Sequence, residues 1–283
     1  MNIFLTGASG YIGGAIAEVL RKANHDVAAL VRPEAETKQL RDLGVVLMGG
    51  ELESLPSLRD QLADYDAFIH IAQARPNTVV SDRAAIDTFT ALRGHFLYTS
   101  GVWVIGNNLS ADESSTPTPL PIVAWRVPHE DLVLAAGGAV LRPGCVYGGR
   151  QSLCADWFAA AEQKRATQLV GDGTNHWAMV DLHDLADLYL RAIEQKATGI
   201  LHGIDDTHAT LEECVHAVGP EVAIEHIPLE TARATMGPFA DALAVDQRIA
   251  STQTREKTGW NPKRTFTTSV AEQWQEWRDT RKA

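Results

Sequence analysis

Asn2-Ile3-Phe4-Leu5-Thr6-Gly7-Ala8-Ser9-Gly10-Tyr11-Ile12-Gly13-Gly14 decides how this chain is read. Ile3, Phe4 and Leu5 form a short apolar run, the pattern of a strand covered on both faces. Gly7, Gly10 and Gly13 follow at three-residue spacing. From Ile12 the apolar residues switch to helical spacing, with Ala15, Ile16, Val19 and Leu20 sharing its face. Strand, glycine turn and helix in that order predict a dinucleotide cradle. Glycine permits the tight turn, lets the backbone approach a pyrophosphate and allows the helix to pack close to the strand. The helix N-terminus adds free N–H groups and a positive dipole end. The spacing is G-x-x-G-x-x-G rather than G-x-G-x-x-G, so the flanking strand and helix carry the reading against a bare turn.

The 283 residues suffice for one large domain or two small ones. Hydrophobic residues are 45% and charged residues 22%, a balance that supports a substantial core. A formal net charge of −11 argues against general affinity for nucleic acid or an anionic membrane. Cys145, Cys154 and Cys214 lack C-x-x-C spacing, which suggests neither a disulfide framework nor a metal site. The strand and glycine turn leave no room for a signal peptide, and no apolar run reaches transmembrane length; the expectation is a cytoplasmic protein.

Outward from the glycine turn, strands are expected at 25–31, 45–48, 67–71, 96–100 and 139–141, and helices at 34–43, near 55–62, at 82–92 and around 130–136. Alternation at this spacing implies right-handed crossovers and a parallel sheet. Beyond Tyr147-Gly148 the pattern changes. Helices are expected at 155–164, 182–194, 211–218 and 269–280, with strands at 169–170, 177–180 and 222–227. Thr210 and Glu213 fit a capping box. Trp274 and Trp277 mark one docking face of the last helix. The Ser/Thr/Pro-rich stretch 107–121 is long for a compact domain and is a candidate substrate-side loop.

Several stretches together resemble the extended short-chain dehydrogenase/reductase superfamily, which includes nucleotide-sugar epimerases and dehydratases. They are Thr6-Gly-Ala-Ser-Gly-Tyr-Ile-Gly13, His70-Ile-Ala72, Tyr98-Thr-Ser-Gly-Val-Trp-Val-Ile-Gly106, Arg142-Pro-Gly-Cys-Val-Tyr-Gly148, Val180-Asp-Leu-His-Asp-Leu-Ala186 and Gly259-Trp260-Asn261-Pro262. The resemblance implies an α/β fold: a Rossmann-type doubly wound parallel sheet at 1–150, joined by about 175–204, and a smaller substrate domain mainly within 151–283. It also implies cofactor contacts from Thr6, Gly7, Ser9, Gly10, Tyr11, Ile12 and Gly13, from Glu51 and Leu52 near the adenine, and from Ala72 and Gln73. Thr99, Ser100, Pro143 and Val146 complete that set. His70 reads as a strand-end core residue.

The end of the second strand speaks to cofactor choice. A carboxylate there would bind a ribose 2′-OH and repel a 2′-phosphate, whereas arginine favours the phosphate. Here the strand ends Leu30-Val31-Arg32, which points to NADP(H) over NAD(H).

The catalytic pattern departs from the superfamily. Its enzymes carry Ser or Thr after the fifth strand and Tyr-x-x-x-Lys on the next helix, where the tyrosine moves the proton and the lysine lowers its pKa. Aligning on Val104-Ile105-Gly106 puts Gly101 at the hydroxyl position, with Ser100 just before it. The best match to Tyr-x-x-x-Lys is Trp125-Arg-Val-Pro-His129. An indole N–H cannot serve as an acid near neutral pH. The chain therefore reads as an atypical member, with Ser100, His129 and Tyr147 as polar participants and His129 ranked behind Ser100. Tyr147 as a packing residue stays open, as does contact or a structural turn for Asn175, His176 and Trp177. The expected function is an NADP(H)-dependent reductase or dehydrogenase acting on a carbonyl or hydroxyl of a small organic substrate, as monomer or homodimer. A non-catalytic NADP(H)-binding redox sensor is the alternative; an epimerase or dehydratase is weaker, since those need the same tyrosine.

Overall fold

In the computed structural model the described residues are 1–74, 76–149 and 151–282. β1 (Asn2–Thr6) lies inside a seven-stranded sheet because its run is apolar on both faces: Ile3, Phe4 and Leu5 are all fully buried. The chain leaves β1 through α1 (Tyr11–Lys22) to β2 (Asp26–Val31), then through α2 (Lys38–Asp42) to β3 (Val46–Gly49). A 3-10 turn and α3 (Arg59–Leu62) carry it back to β4 (Ala67–His70) on the opposite side of β1. α4 (Thr78–Phe89) leads to β5 (His95–Thr99), and β6 (Asn108–Ala111) and α5 (Arg126–Ala135) precede β7 (Ala139–Pro143). β8 (Cys145–Tyr147), α6 (Ala155–Gln163), β9 (Thr167–Val170), β10 (Met179–Asp181) and α7 (Leu182–Glu194) follow, before β11 (Gly199–Gly203) closes the sheet.

The strand order is β3-β2-β1-β4-β5-β7-β11, and every neighbouring pair is parallel. This is the Rossmann-type doubly wound α/β architecture. The winding reverses between β1 and β4, which opens a crevice at their C-terminal ends. Ile16 and Leu20 of α1 and Leu185, Leu188 and Ile193 of α7 cover one face of the sheet. Ile86 and Phe89 of α4 and Val133 of α5 cover the other, against Phe4, Phe68, Phe96 and Val140.

The remaining elements are α8 (Leu211–Val218), β12 (Ile224–Ile227), α9 (Leu229–Met236), α10 (Phe239–Leu243), β13 (Gln247–Ile249), α11 (Thr252–Thr258) and α12 (Val270–Lys282). α6, α8 and α12 share a separate core around Trp157, Phe158, Cys214, Phe266 and Trp277. The Thr210/Glu213 capping box opens α8, and Trp274 and Trp277 both face this core.

Four local expectations change. β6 lies inside the stretch read as loop, paired with β13, and its Asn-Leu-Ser-Ala run, exposed at Leu109 and Ser110 and buried at Ala111, carries no alternation to announce it. β11 is a short Gly-Ile-Leu-His-Gly run bounded by glycines. α5 begins at Arg126, so Pro128 sits third in the helix, where an N–H has no intrahelical partner to lose. The expected helices at 34–43 and 82–92 become Lys38–Asp42 and Thr78–Phe89.

Candidate cofactor cleft and buried carboxylate–imidazole cluster

Two of the glycines are required by space. Gly7 has φ +82°, and a Cβ there would stand 2.8 Å from the Ala72 amide nitrogen. At Gly13 a Cβ would lie 2.0 Å from the Gly7 carbonyl oxygen, inside backbone. Gly10 differs: its backbone is extended, it precedes α1, and its Cβ would meet only the Gly7 oxygen, at 3.2 Å. Its open side looks into the crevice. The first turn of α1 holds no acidic residue of its own, which leaves the positive end of the helix dipole without a carboxylate from that turn.

That crevice is a cleft of about 400 Å³. Of the expected cofactor residues, Thr6, Gly7, Ser9, Gly10, Arg32, Glu51, Leu52, Ala72 and Gln73 line it. The sequence reading missed Leu30, Gly50, Ile71 and Asn77 on the same walls. The rest of the expected set lies elsewhere. Tyr11 turns its hydroxyl onto the Gly148 carbonyl, Ile12 and Val146 pack on the first core, and Gly13 and Pro143 are buried. The Thr99 hydroxyl pairs with that of Tyr189 at 2.7 Å. Arg32 is 65% exposed and ion-paired with Glu34 at 3.3 Å.

Deeper along the sheet edge, Ser100 directly follows β5 and continues its ladder, its N–H donating to the Leu141 carbonyl at 2.8 Å. Its hydroxyl is buried and has no hydrogen-bond partner among the described residues. Tyr147 is fully buried, and its hydroxyl donates to Asp205 Oδ2 at 2.7 Å inside the second core. Burial pushes the Asp205 carboxyl up to about 7, against hydrogen bonds from Thr207 and Tyr147 that favour its charge. Asn175 donates to the Leu243 and Val245 carbonyls, and His176 contacts Asp246 and Arg248, so this turn is tied to the segment before β13.

His129 is not isolated. Its Nδ1 lies 2.6 Å from Asp82 Oδ2, the Tyr98 hydroxyl donates to the same oxygen at 2.9 Å, and His70 Nε2 lies 3.1 Å from Oδ1. His70 Nδ1 in turn meets the Thr6 hydroxyl at 2.6 Å. Asp82 is 4% exposed. Burial opposes its charge, yet the hydrogen bonds from His129 and His70, with the charges of His70 and Arg126, hold the carboxyl well below the usual carboxylate range. Burial and the neighbouring Asp82 push the Tyr98 phenol up, against Arg126. Asp82 was missed in the sequence, although Ala85, Ile86 and Phe89 mark its helix face as buried.

Cys145, Cys154 and Cys214 are buried and unbridged, and among the described residues no group of His, Cys, Asp and Glu is arranged to hold a metal ion. Among the described residues no helix is long and apolar enough to cross a membrane.

The profile of the NmrA-like family matches residues 1–89. An uncharacterized protein of Schizosaccharomyces pombe is 30% identical over 281 residues, covering 93% of this chain and 95% of its own. A 4-hydroxy-2-methyl-3-oxo-4-farnesyl-3,4-dihydroquinoline-1-oxide ketoreductase of Stigmatella aurantiaca is 25% identical over 261 residues, 83% of this chain and 78% of its own. Among solved structures, the dTDP-glucose 4,6-dehydratase of Bacillus anthracis in complex with NAD superposes with a TM-score of 0.82 at 15% identity, covering 100% of this chain and 98% of that one. Glycine cradle, strand order and relatives agree: the chain belongs to the short-chain dehydrogenase/reductase superfamily.

Proposed function

We propose that this protein is an NADP(H)-dependent oxidoreductase that reduces a carbonyl, or oxidises the matching hydroxyl, of a small organic molecule. The observation that carries the reading is Gly10: it has no side chain, opens into the cleft at the N-terminus of α1, and sits where the sheet reverses its winding. Leu30, Leu52 and Ala72 offer apolar walls to an adenine, and Arg32, lining the same cleft just after β2, favours a 2′-phosphate. Arg32 is engaged with Glu34, but so exposed a pair contributes only about 0–1 kcal/mol. A charge-assisted contact to phosphate is worth about 1.5–3 kcal/mol, so exchanging partners favours the phosphate.

When bound, the reduced nicotinamide supplies a hydride. The chain must then bind the carbonyl, exclude water and provide a proton. Ser100, with its unpartnered hydroxyl, is available to hydrogen-bond the oxygen. Trp125-Arg-Val-Pro-His129 is the best sequence match to the superfamily's Tyr-x-x-x-Lys, which favours a nonstandard centre. The Stigmatella relative, a ketoreductase, supports the carbonyl assignment. Trp125 favours a second reading, a non-catalytic sensor of cofactor state. Purified protein challenged with NADPH and a panel of ketones and aldehydes separates the two: turnover supports the reductase, and tight NADPH binding with no turnover on any member supports the sensor.

A further inference from the structure

We propose that His129, held by the buried carboxylate of Asp82, delivers the proton to the carbonyl oxygen; this rests on the reductase reading and names the acid that reading lacks. Asp82 is the positioning residue. It projects from α4 into the space between β4, β5 and α5, and both of its oxygens are engaged.

Donor and acceptor accounting sets the ring's orientation. A carboxylate only accepts, so His70 Nε2, the Tyr98 hydroxyl and His129 Nδ1 must all donate to it. His70 Nδ1 meets the Thr6 hydroxyl at 2.6 Å, accepting from it when the ring is neutral and donating to it when the ring is charged. Every polar atom on that side is satisfied, so Asp82 has no alternative partner to turn to. His129 Nδ1 is the nitrogen that faces Asp82, and among the described residues no hydrogen bond engages Nε2 on the far side of the ring. It is the one atom of the cluster left to act.

The cluster also sits at the right end of the sheet. Arg126 Nη1 donates to the Thr99 carbonyl at 3.1 Å and lies 3.3 Å from the Tyr98 hydroxyl, which fastens the first turn of α5 over the C-terminal end of β5. His129 is three residues on, on the same helix face. Ser100 follows β5 directly, and its hydroxyl also takes no hydrogen-bond partner among the described residues. A neutral imidazole near a helix N-terminus is by itself a poor substitute for lysine, which favours Ser100. Asp82 changes that: its carboxylate accepts from Nδ1 and fixes the ring, and its negative charge offsets the helix dipole.

The step balances. As hydride arrives at the carbonyl carbon, the C–O π pair moves to oxygen. The Nε2–H bond breaks as the O–H bond forms. The ring is left neutral, its Nδ1–H still on Asp82, and recovers a proton from water. In the oxidative direction neutral Nε2 takes the hydroxyl proton.

The test uses the full chain, first as wild type with NADPH and the carbonyl panel, then as His129→Ala and Asp82→Asn. His129→Ala should lower kcat by roughly 10²–10⁴-fold, the contribution of a positioned acid, with NADPH affinity unchanged. Added imidazoles should restore part of the rate, and the pH at which reduction fails should follow the pKa of the imidazole supplied. The charged and titratable neighbours of His129 are Asp82 on α4, His70 on β4, Tyr98 on β5 and Arg126 on α5. Nitrogen-15 spectra of the histidine rings give a readout independent of turnover. Neutral His129 should carry its proton on Nδ1 in wild type and lose that preference in Asp82→Asn. Should Asp82→Asn fail to fold, the wild-type spectrum decides alone, and a proton on Nε2 overturns the proposal. Unchanged turnover in His129→Ala also overturns it while leaving the reductase reading intact. A wild type that turns over no carbonyl removes the reductase reading first, and this proposal with it.

Discussion

Replacing Gly10 by Val separates the cradle from the fold. Gly10 is extended, with φ −87° and ψ 173°, a conformation any residue adopts. A Cβ would meet only the Gly7 carbonyl oxygen, at 3.2 Å, so the neighbour gives by a few tenths of an ångström. Losing glycine at this capping position costs up to about 1 kcal/mol, while reduced freedom of the unfolded chain returns about 0.4–1 kcal/mol. Stability should therefore change by no more than about 1 kcal/mol. Binding is another matter, because the new side chain occupies the face where a pyrophosphate meets the helix N-terminus. Losing about two charge-assisted N–H contacts, at roughly 1.5–3 kcal/mol each, weakens NADPH binding by about 10²–10⁴-fold. Gly13→Ala is the contrasting control: its Cβ would lie 2.0 Å from the Gly7 oxygen and 2.6 Å from the Gly7 carbonyl carbon, so the fold itself should fail. Fluorescence titration with NADPH and thermal melting read the two effects. A soluble Gly10→Val protein that binds NADPH with normal affinity would refute the cradle.

Arg32→Ala should narrow the preference for NADPH over NADH by roughly tenfold or more, read by calorimetry; equal affinities for the two in the unmutated protein would refute the NADP(H) assignment. Asp205 has a folded-state pKa of about 7, raised by burial above its unfolded value, so the folded chain holds the extra proton and stability falls as pH rises between about 4 and 7. Asp205→Asn removes that dependence, and urea melts at either end of the window should show the wild type losing up to about 4 kcal/mol relative to the variant; parallel curves would contradict it. Glu130→Ala strips the carboxylate that Arg142 Nη2 meets at 2.5 Å and Nε at 3.1 Å, with both side chains almost fully buried. The stranded guanidinium should cost about 3–5 kcal/mol, and a loss under about 1 kcal/mol in denaturant unfolding would mean that the pair is dispensable.

What could be read from the chain divides by the range of the interactions involved. The cradle was legible because its requirements are local: Gly7 and Gly13 are dictated by a turn between one strand and the next helix. The alternating strands gave the sheet for the same reason, whereas β6 and β11 carry too few apolar residues to announce themselves. The polar cluster is different in kind. Thr6 and His70 are 64 positions apart, Asp82 and His129 are 47 apart, and Tyr147 meets Asp205 across 58. No spacing rule reaches that far, so Tyr147 could be read equally as participant or packing, and His70 passed as a core residue. Yet Asp82 left one trace. Ala85, Ile86 and Phe89 follow it by three, four and seven residues, the interval of a buried helical stripe, so its carboxylate was bound for the interior. An unpaired buried charge costs too much to persist, so a carboxylate on such a stripe already demands donors from the elements packed against it. The histidines His70 and His129, one at a strand end and one on the next helix but one in the chain, were the groups at hand to supply them. Reading apolar stripes for the charged residue that interrupts them would have reached this cluster before any motif did.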